Sequence, residues 1–492
     1  MPGVTINTAI RTGASASTTA PGATFFVVGE AERGSDTFAV ACTSIDDYTT
    51  AFGGFVSGKY LYQSVYTFFE EGGSLCYVAR ATKSTGSNAR ASLGLISTGS
   101  TVAVTLTAAG RGDWGENISI TVSAAVSGVY TFSIKYSGVE LWTGGYENSG
   151  DFVDAVNNST VLKNYVTAAT TNRANTAFVT VSTAAALANA GTDGAATTAD
   201  FISALALFTE DLGTGCVAIP GAVDTASSTT RETDFWNPIK THCVANNRVA
   251  LLSFEETDDA SSVATMSTGY VGDNHEYLAM YYPWITIPYL GNSISISPES
   301  YVAAARSKTV TATGTWEAYA GEITIPRFVN GVVTVVGRTA GDALDAAYVN
   351  AIRIINGDVR VYGARSHSTD VAQFRFITNR DTINYIVDRC ELQLEALIFS
   401  SINGRKTLYG NIESAIQGVL EPIRLSGGFY EGFDARGRRT DYGYTITVND
   451  TLNPVSQLQT GLIKAQVGVR ISSVGDKITV SIIKSNLTTN LA

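Results

Sequence analysis

The stretch FFVVGEAERG, Phe25 to Gly34, decides how the chain is read. Phe25-Phe26-Val27-Val28 is an apolar run of the length of a short buried strand. It ends in Gly29, and Gly34 follows five residues on, which is how many phosphate-binding loops begin. The residues between the glycines speak against that reading. A Rossmann loop needs G-x-G-x-x-G so that backbone N–H groups close on a pyrophosphate. Here Glu30, Ala31, Glu32 and Arg33 stand between, and two carboxylates at the mouth repel a phosphate. Gly29 and Gly34 satisfy the first half of a P-loop, but Ser35-Asp36 replace its Lys and hydroxyl. The stretch reads as a strand and sharp turn of a scaffold, the glycines supplying permissive φ.

A chain of 492 residues exceeds one ordinary core, so about two to four domains are expected. An apolar fraction of 45% with only 16% charged residues is that of a globular protein. No apolar run approaches the roughly 18 residues of a membrane helix. The start, MPGVTINTAIRTG, lacks a basic segment followed by an apolar one, so no secretory signal is expected. Cys42, Cys76, Cys216, Cys243 and Cys390 are odd in number and never spaced C-x-x-C, which suits reduced, mostly buried thiols. From Thr339 onward there are 16 Lys+Arg against 15 Asp+Glu, leaving 17 against 29 in the preceding part. An acidic body disfavours nucleic acid as a partner.

The pattern changes along the chain. Residues 25–80 mix a strand, a polar loop, a helix over YLYQSVYTFFEEGG and a strand LCYVAR. In that helix Leu61, Val65, Phe68 and Phe69 recur at helical spacing, and Gly72 sits where a C′ glycine belongs. From Lys83 to about Ala195, Ser, Thr, Ala, Gly and Val dominate in alternating runs such as TVAVTLTA and YTFSIKY, which reads as a β-rich insertion. Its RGD, Arg111 to Asp113, reads as a chance tripeptide. From Thr197 to Trp284 helices alternate with buried strands CVAIPG and RVALLSF, the signature of an open α/β sheet. One helix there, NPIKTHCVANN, is expected to start on an Asn237 cap with Pro238 next. From Leu344 the chain is α+β. DTINYIVDRCELQLEALIFS is predicted helical, with Ile383, Ile386, Cys390, Leu394 and Leu397 on one face. NIESAIQGVLEPI is predicted to follow as a second helix, and strands YTITVN, LIKAQVGVRI and KITVSII close the chain.

Candidate chemistry is thin. The carboxylates of FEETDDAS, Glu255, Glu256, Asp258 and Asp259, fall where an α/β active site sits, but no Lys, Cys or His ligand stands near, so the loop reads as solvated. Three histidines serve the chain: His242, His275 and His367. NHEYLA begins like a zincin helix, yet the second His position holds Ala279. No G-x-S-x-G elbow occurs. An α/β-domain hydrolase or other cytosolic enzyme is the alternative reading, and the lack of a converging constellation favours a structural protein.

In order, the segments resemble contractile tail sheath proteins of bacteriophages. PGV at Pro2 to Val4, FFVVGEAERG, AFGG at Ala51 to Gly54, and GDWGENISITV with Glu116 inserted before Asn117 each resemble a family segment. So do YLAMYYPWITI and VNAIRIINGDVRVYGARS, the last with Ser366 for Thr. The similarity spans about Pro2 to Arg80 and Thr197 to Ile483. GTWEAYAGEITIP departs from the family's run before the N-x-I-R signature, keeping Trp316 and Ala318 but losing its Pro and Asn.

The resemblance implies a multidomain α/β and α+β fold: an α/β open-sheet middle domain, a β-rich inserted domain, and an α+β C-terminal inner domain with extended terminal arms. The expected parts are an arm at 1–20, the N-terminal part of the sheath core at 21–82, an outer insertion at 83–195, an α/β sheath domain at 196–340, an inner domain at 341–475 and a terminal strand at 476–492. It implies stacked hexameric rings around a tail tube, contracting to drive the tube through the host envelope for genome ejection. Assembly is expected in the host bacterial cytoplasm and the mature location in the virion tail. The expected partners are further copies, the tube protein, and baseplate and terminator proteins, with no direct nucleic-acid contact and no membrane insertion. No cofactor, metal or catalytic residue is implied. Val4, Thr5 and Ile6, and Ile478, Thr479, Val480, Ser481 and Ile482, alternate at period two and are expected to exchange strands between subunits. Arg405 and Lys406, before the second helix, and Arg436, Arg438 and Arg439 are the expected tube-facing cations.

Overall fold

The computed structural model describes residues 22–84, 88–189, 193–222 and 230–477. The Phe25–Val28 run forms β1, Thr24–Gly29, with every residue buried. The rest of its sheet is β2 (Val40–Cys42), β3 (Cys76–Arg80), β4 (Gly215–Ala218), β5 (Val249–Ser253), β6 (Leu278–Tyr282), β7 (Val349–Ile355) and β8 (Asp358–Tyr362). The order across it is β8-β7-β6-β5-β4-β1-β3-β2. Strands β7 through β3 run parallel, and antiparallel β8 and β2 close the two edges. A parallel block is covered on both faces, which is why β1 is apolar throughout instead of alternately. Phe25 and Val27 enter one core with Phe68, Tyr281 and Tyr301; Phe26 and Val28 enter the other with Phe208, Trp236 and Met280.

The edge hairpin β7–β8 turns on Asn356 (φ 54°) and Gly357 (φ 96°), the left-handed pair a two-residue hairpin requires. β7 joins the sheet through Met280–Val349 pairing with β6. Residues 349–362, allotted by sequence to the inner domain, therefore complete the open sheet, and the boundary expected at 340/341 falls within that unit.

Helix α1 (Leu61–Glu70) ends as its glycines demand: Gly72 takes φ 90°, and Gly72 and Gly73 donate back to Phe69 and Phe68 carbonyls. It packs against α2 (Glu299–Ala312), which is buried on nearly all sides and so shows no amphipathic signature. Asn237 does not cap a helix. A π turn, Glu232–Trp236, already leads into Asn237–Ala245.

The insertion has its own core. A three-stranded sheet (Ser92–Ile96, Val102–Ala108, Val166–Ala169) and a four-stranded one (Ile118–Val122, Tyr130–Tyr136, Val139–Tyr146, Val181–Ala186) enclose Leu106, Ile120, Phe132 and Phe152. Phe132 stacks on Phe152 at 4.1 Å between centroids.

Beyond the sheet, α3 (Ile377–Glu395) and α4 (Thr407–Leu425) form a helical hairpin over a small core of Ile386, Ile416, Leu420, Ile423 and Phe429. Cys390 and Leu394 pack against that core as the spacing predicts, whereas Leu397 lies past the helix end. The inner face of α3 is also polar. Asp381, fully buried, receives two bonds of 2.7 Å from Arg306 of α2, and the same guanidinium donates to the Gly22 carbonyl at 2.6 Å. Asp381→Asn leaves the Arg306 charge without its counter-charge. A loss of about 3–5 kcal/mol is expected, seen as a lower urea midpoint with an unchanged slope.

Candidate functional site

An open α/β sheet presents ligands at the carboxyl ends of its strands. Here those ends carry a junction. Arg33 donates to the Thr49 and Thr50 carbonyls at 2.7 and 2.8 Å, and its guanidinium lies over the insertion's Tyr165 and Tyr136 at 4.6 and 5.2 Å. The buried Asp36 carboxylate accepts from Arg90 at 2.5 Å and Arg111 at 2.8 Å, both contributed by the insertion side. Arg80, at the end of β3, donates to the carbonyls of Ala31, Gly34 and Arg111. Gly34 is required twice over. Its φ is 108°, and a Cβ there would sit 2.6 Å from the Ala51 carbonyl, while one on Gly110 would sit 2.0 Å from the Gly34 carbonyl.

Beside this junction lies a cleft of about 420 Å³, lined by Glu30, Glu32, Lys59, Arg80, Asp113 and Asp193 among others. Its charged groups already serve one another or the backbone. Glu30 pairs with Lys59 at 2.5 Å and accepts from Ala196 N–H, Glu32 accepts from Gly54 N–H, and Asp193 accepts from Asp113 N–H. Burial, and then the neighbouring Asp193, raise the Asp113 carboxyl above its usual range. The glycine-flanked turn thus fastens the inserted segment to the sheet, and the carboxylates beside it are arranged against a phosphate.

The acidic loop is not merely solvated. Glu255 and Asp258 grip the buried Arg231 at 2.6 and 2.8 Å, and Asp259 caps the helix Ala260–Gly269. Arg231 stands more than twenty residues upstream in sequence, so the loop gave no local sign of it. Among the described residues no group of three His, Cys, Asp or Glu is placed to hold a metal ion, and no helix is long and apolar enough to cross a membrane.

Two histidines meet in the fold. The rings of His275 and His367, both buried, lie 5.3 Å apart, with Lys240 Nζ 3.1 Å from His275 Nε2. His242 faces Arg248 at 3.0 Å. Burial, then Lys240, pushes His275 down to about 3; burial, then Arg248, pushes His242 down to about 3; burial also lowers His367. Between pH 6.5 and those folded values the unfolded chain binds more protons, so stability falls as pH drops through that window. Denaturation midpoints measured from pH 7.5 to 4 should fall on acidification, and His275→Gln should flatten the decline.

The expected cations occupy two separate projections. Arg405 and Lys406 lie in the loop joining α3 to α4, at the tip of the helical hairpin and not along its length. Lys406 pairs with Asp450, and Arg405 has no ion pair among the described residues. Arg436, Arg438 and Arg439 sit on the small hairpin formed by Gly432–Phe433 and Arg439–Asp441. There Arg438 pairs with Asp434 at 2.9 Å, and Arg439 pairs with Glu431 at 3.5 Å and lies over Tyr442. Val4, Thr5, Ile6, Ile478, Thr479, Val480, Ser481 and Ile482 lie outside the described residues.

Neither a family model nor a curated protein sequence matches the chain. Solved structures do. A chain of the anti-feeding prophage baseplate in its contracted state shares 17% identity over 98% of both chains, with a TM-score of 0.60. The sheath tail protein of Listeria innocua shares 14% identity over 88% of this chain and 90% of its own, at 0.58. A chain of the PVC sheath complex of an extracellular contractile injection system, also contracted, shares 14% over 99% and 98%, at 0.54. The chain has the fold of contractile sheath proteins. This sheath fold extends over nearly the whole length while identity stays below one residue in five, so architecture carries the likeness.

Proposed function

We propose that the chain is the structural subunit of a contractile tail sheath. Copies stack as hexameric rings around a tail tube and shorten to drive that tube through a bacterial envelope, in a virion tail assembled in the host cytoplasm. The observation that carries this reading is the near-complete coverage of sheath structures by one chain, insertion and helical hairpin included. The strand-end junction supports it. The groups an α/β enzyme would turn toward substrate are here bonded to backbone or to one another, which disfavours the hydrolase reading.

Work is done by a sheath when a metastable packing of one subunit converts to a more stable one. Such a subunit needs links that persist while bodies rotate. The terminal segments around Val4–Thr5–Ile6 and Ile478–Thr479–Val480–Ser481–Ile482 supply them by adding strands to neighbouring sheets, each backbone bond worth roughly 1 kcal/mol. The tube contact falls to the cations of the two C-terminal projections, Arg405 and Lys406 before the second helix of the hairpin and Arg436, Arg438 and Arg439, because exposed ion pairs of about 0–1 kcal/mol release easily. Baseplate and terminator proteins meet the two ends of the stack.

Purified chain imaged by negative stain should form long hollow tubes without substrate; a chain that only ever gives dispersed monomers would count against the sheath. Removing residues 1–12, or residues from 476 onward, should give folded subunits that no longer polymerise, as judged by sedimentation. The insertion is assigned to the outside. Its excision alone strips Asp36 of Arg90 and Arg111, so excising 83–195 together with Asp36→Ser should restore tube formation better than excision alone.

A further inference from the structure

Two of the five free cysteines face each other across the edge of the central sheet. Antiparallel β2 and β3 pair with Cys42 directly opposite Cys76. Residues so placed have Cα atoms about 4.5–5.5 Å apart, inside the roughly 4.4–6.8 Å that a disulfide spans. Both side chains enter the same core, fully buried, and a side-chain hydrogen bond joins the two thiols. No other two cysteines are placed in this way. Cys216 and Cys243 enter the cores on opposite faces of the sheet, and Cys390 lies on α3.

Burial, and then the bond to Cys42, push the Cys76 thiol well above its usual range. The closed edge therefore holds little of the thiolate that attacks a disulfide. Access runs through the edge itself. β2 has three residues and pairs on one side only among the described residues, and short edge strands open locally at small cost. Cys42 is its last residue, and the helix Ile45–Phe52 follows directly. Tyr48 of that helix is fully buried and interacts with both thiols. The same helix presents the Thr49 and Thr50 carbonyls to Arg33, and so forms part of the junction with the insertion.

We propose that Cys42 and Cys76 are a redox pair, reduced in a thiol-rich cytoplasm and closed to a disulfide by a low-molecular-weight disulfide, such as glutathione disulfide, once that thiol pool is lost. Opening of β2 lets the Cys42 thiolate attack one sulfur of the oxidant. The oxidant's S–S bond breaks, a Cys42–glutathione bond forms and one glutathione thiolate leaves. The Cys76 thiolate then attacks Cys42 Sγ and expels the second glutathione. The two cysteine protons end on the two glutathione thiols; the chain loses two electrons and the oxidant gains them. The new bond pins β2 to β3 and closes residues 42–76 into a ring that includes both the helix Ile45–Phe52 and α1, restricting the unfolded chain. It thereby secures the helix that holds Arg33. The chemistry stands apart from the sheath reading; on that reading its occasion is release of the particle from the host.

The test equilibrates the purified full-length chain with glutathione disulfide a few degrees below its thermal midpoint, where the edge opens and the fold persists. After removal of the oxidant the chain is denatured and labelled with a maleimide. Labelled thiols should fall from five per chain to three, with the intact chain lighter by two hydrogens and a non-reduced peptide map joining 42 to 76. Dithiothreitol should restore all five. In the oxidised chain hydrogen exchange over residues 40–52 should slow by about tenfold or more. Cys42→Ala should abolish both the cross-link and the slowing. The wild type carries the main readout, so a poorly folded variant does not weaken it. Five free thiols after the treatment, a cross-link through Cys216, Cys243 or Cys390, or glutathione adducts without closure overturn the pair. Closure with unchanged exchange over 40–52 overturns its role as a fastening. A chain that closes the pair yet never polymerises removes the sheath reading and supports the redox pair, so the two failures are distinct.

Discussion

The buried Arg306–Asp381 pair holds the parts of this molecule in one arrangement. Its guanidinium sits on a helix of the sheet's cover, its carboxylate on the first helix of the C-terminal hairpin, and its third bond reaches Gly22, where the chain enters β1. Replacing a buried pair with apolar residues often costs nothing, but breaking one is expensive. Such a pair therefore specifies an arrangement more than it adds stability.

A second fastening works by the same physics on the opposite side. Asp36 is held between Arg90 and Arg111, and Arg33 lies against Tyr136 and Tyr165 while bonding to the carbonyls of a neighbouring helix. The insertion is thus coupled to the sheet by charge, stacking and close backbone approach at once. The eight-stranded sheet is fastened to the β-rich insertion at one place and to the helical hairpin at another.

The surface follows a different rule from the interior. Inside, charges such as Arg306, Arg231 and Glu71 are held by opposite charges or by backbone groups. In the C-terminal part several pairs are exposed, as where Arg470 meets Asp441 and Lys406 meets Asp450. Exposed pairs of this kind are weak and salt-sensitive.

The sequence by itself determined the elements whose information is local. β1 was legible because a parallel strand buried on both faces must be apolar at every position, and α1 because its apolar residues recur at helical spacing and glycines end it. The insertion was legible as a shift to alternating Ser, Thr and Val. The order of family-like segments pointed to the sheath fold that the structure has. Only the tertiary structure decided that residues 349–362 extend the central sheet, because strand pairing joins residues about seventy apart and leaves no trace in either segment. The same holds for Asp36, whose partners lie 54 and 75 residues away, and for Arg231, whose carboxylates sat in a loop that read as solvated. Phe399 read as the last apolar residue of a helix predicted over 381–400. That it stands in water follows from where α3 stops and how the chain turns to α4, which packing against the small C-terminal core decides and periodicity does not.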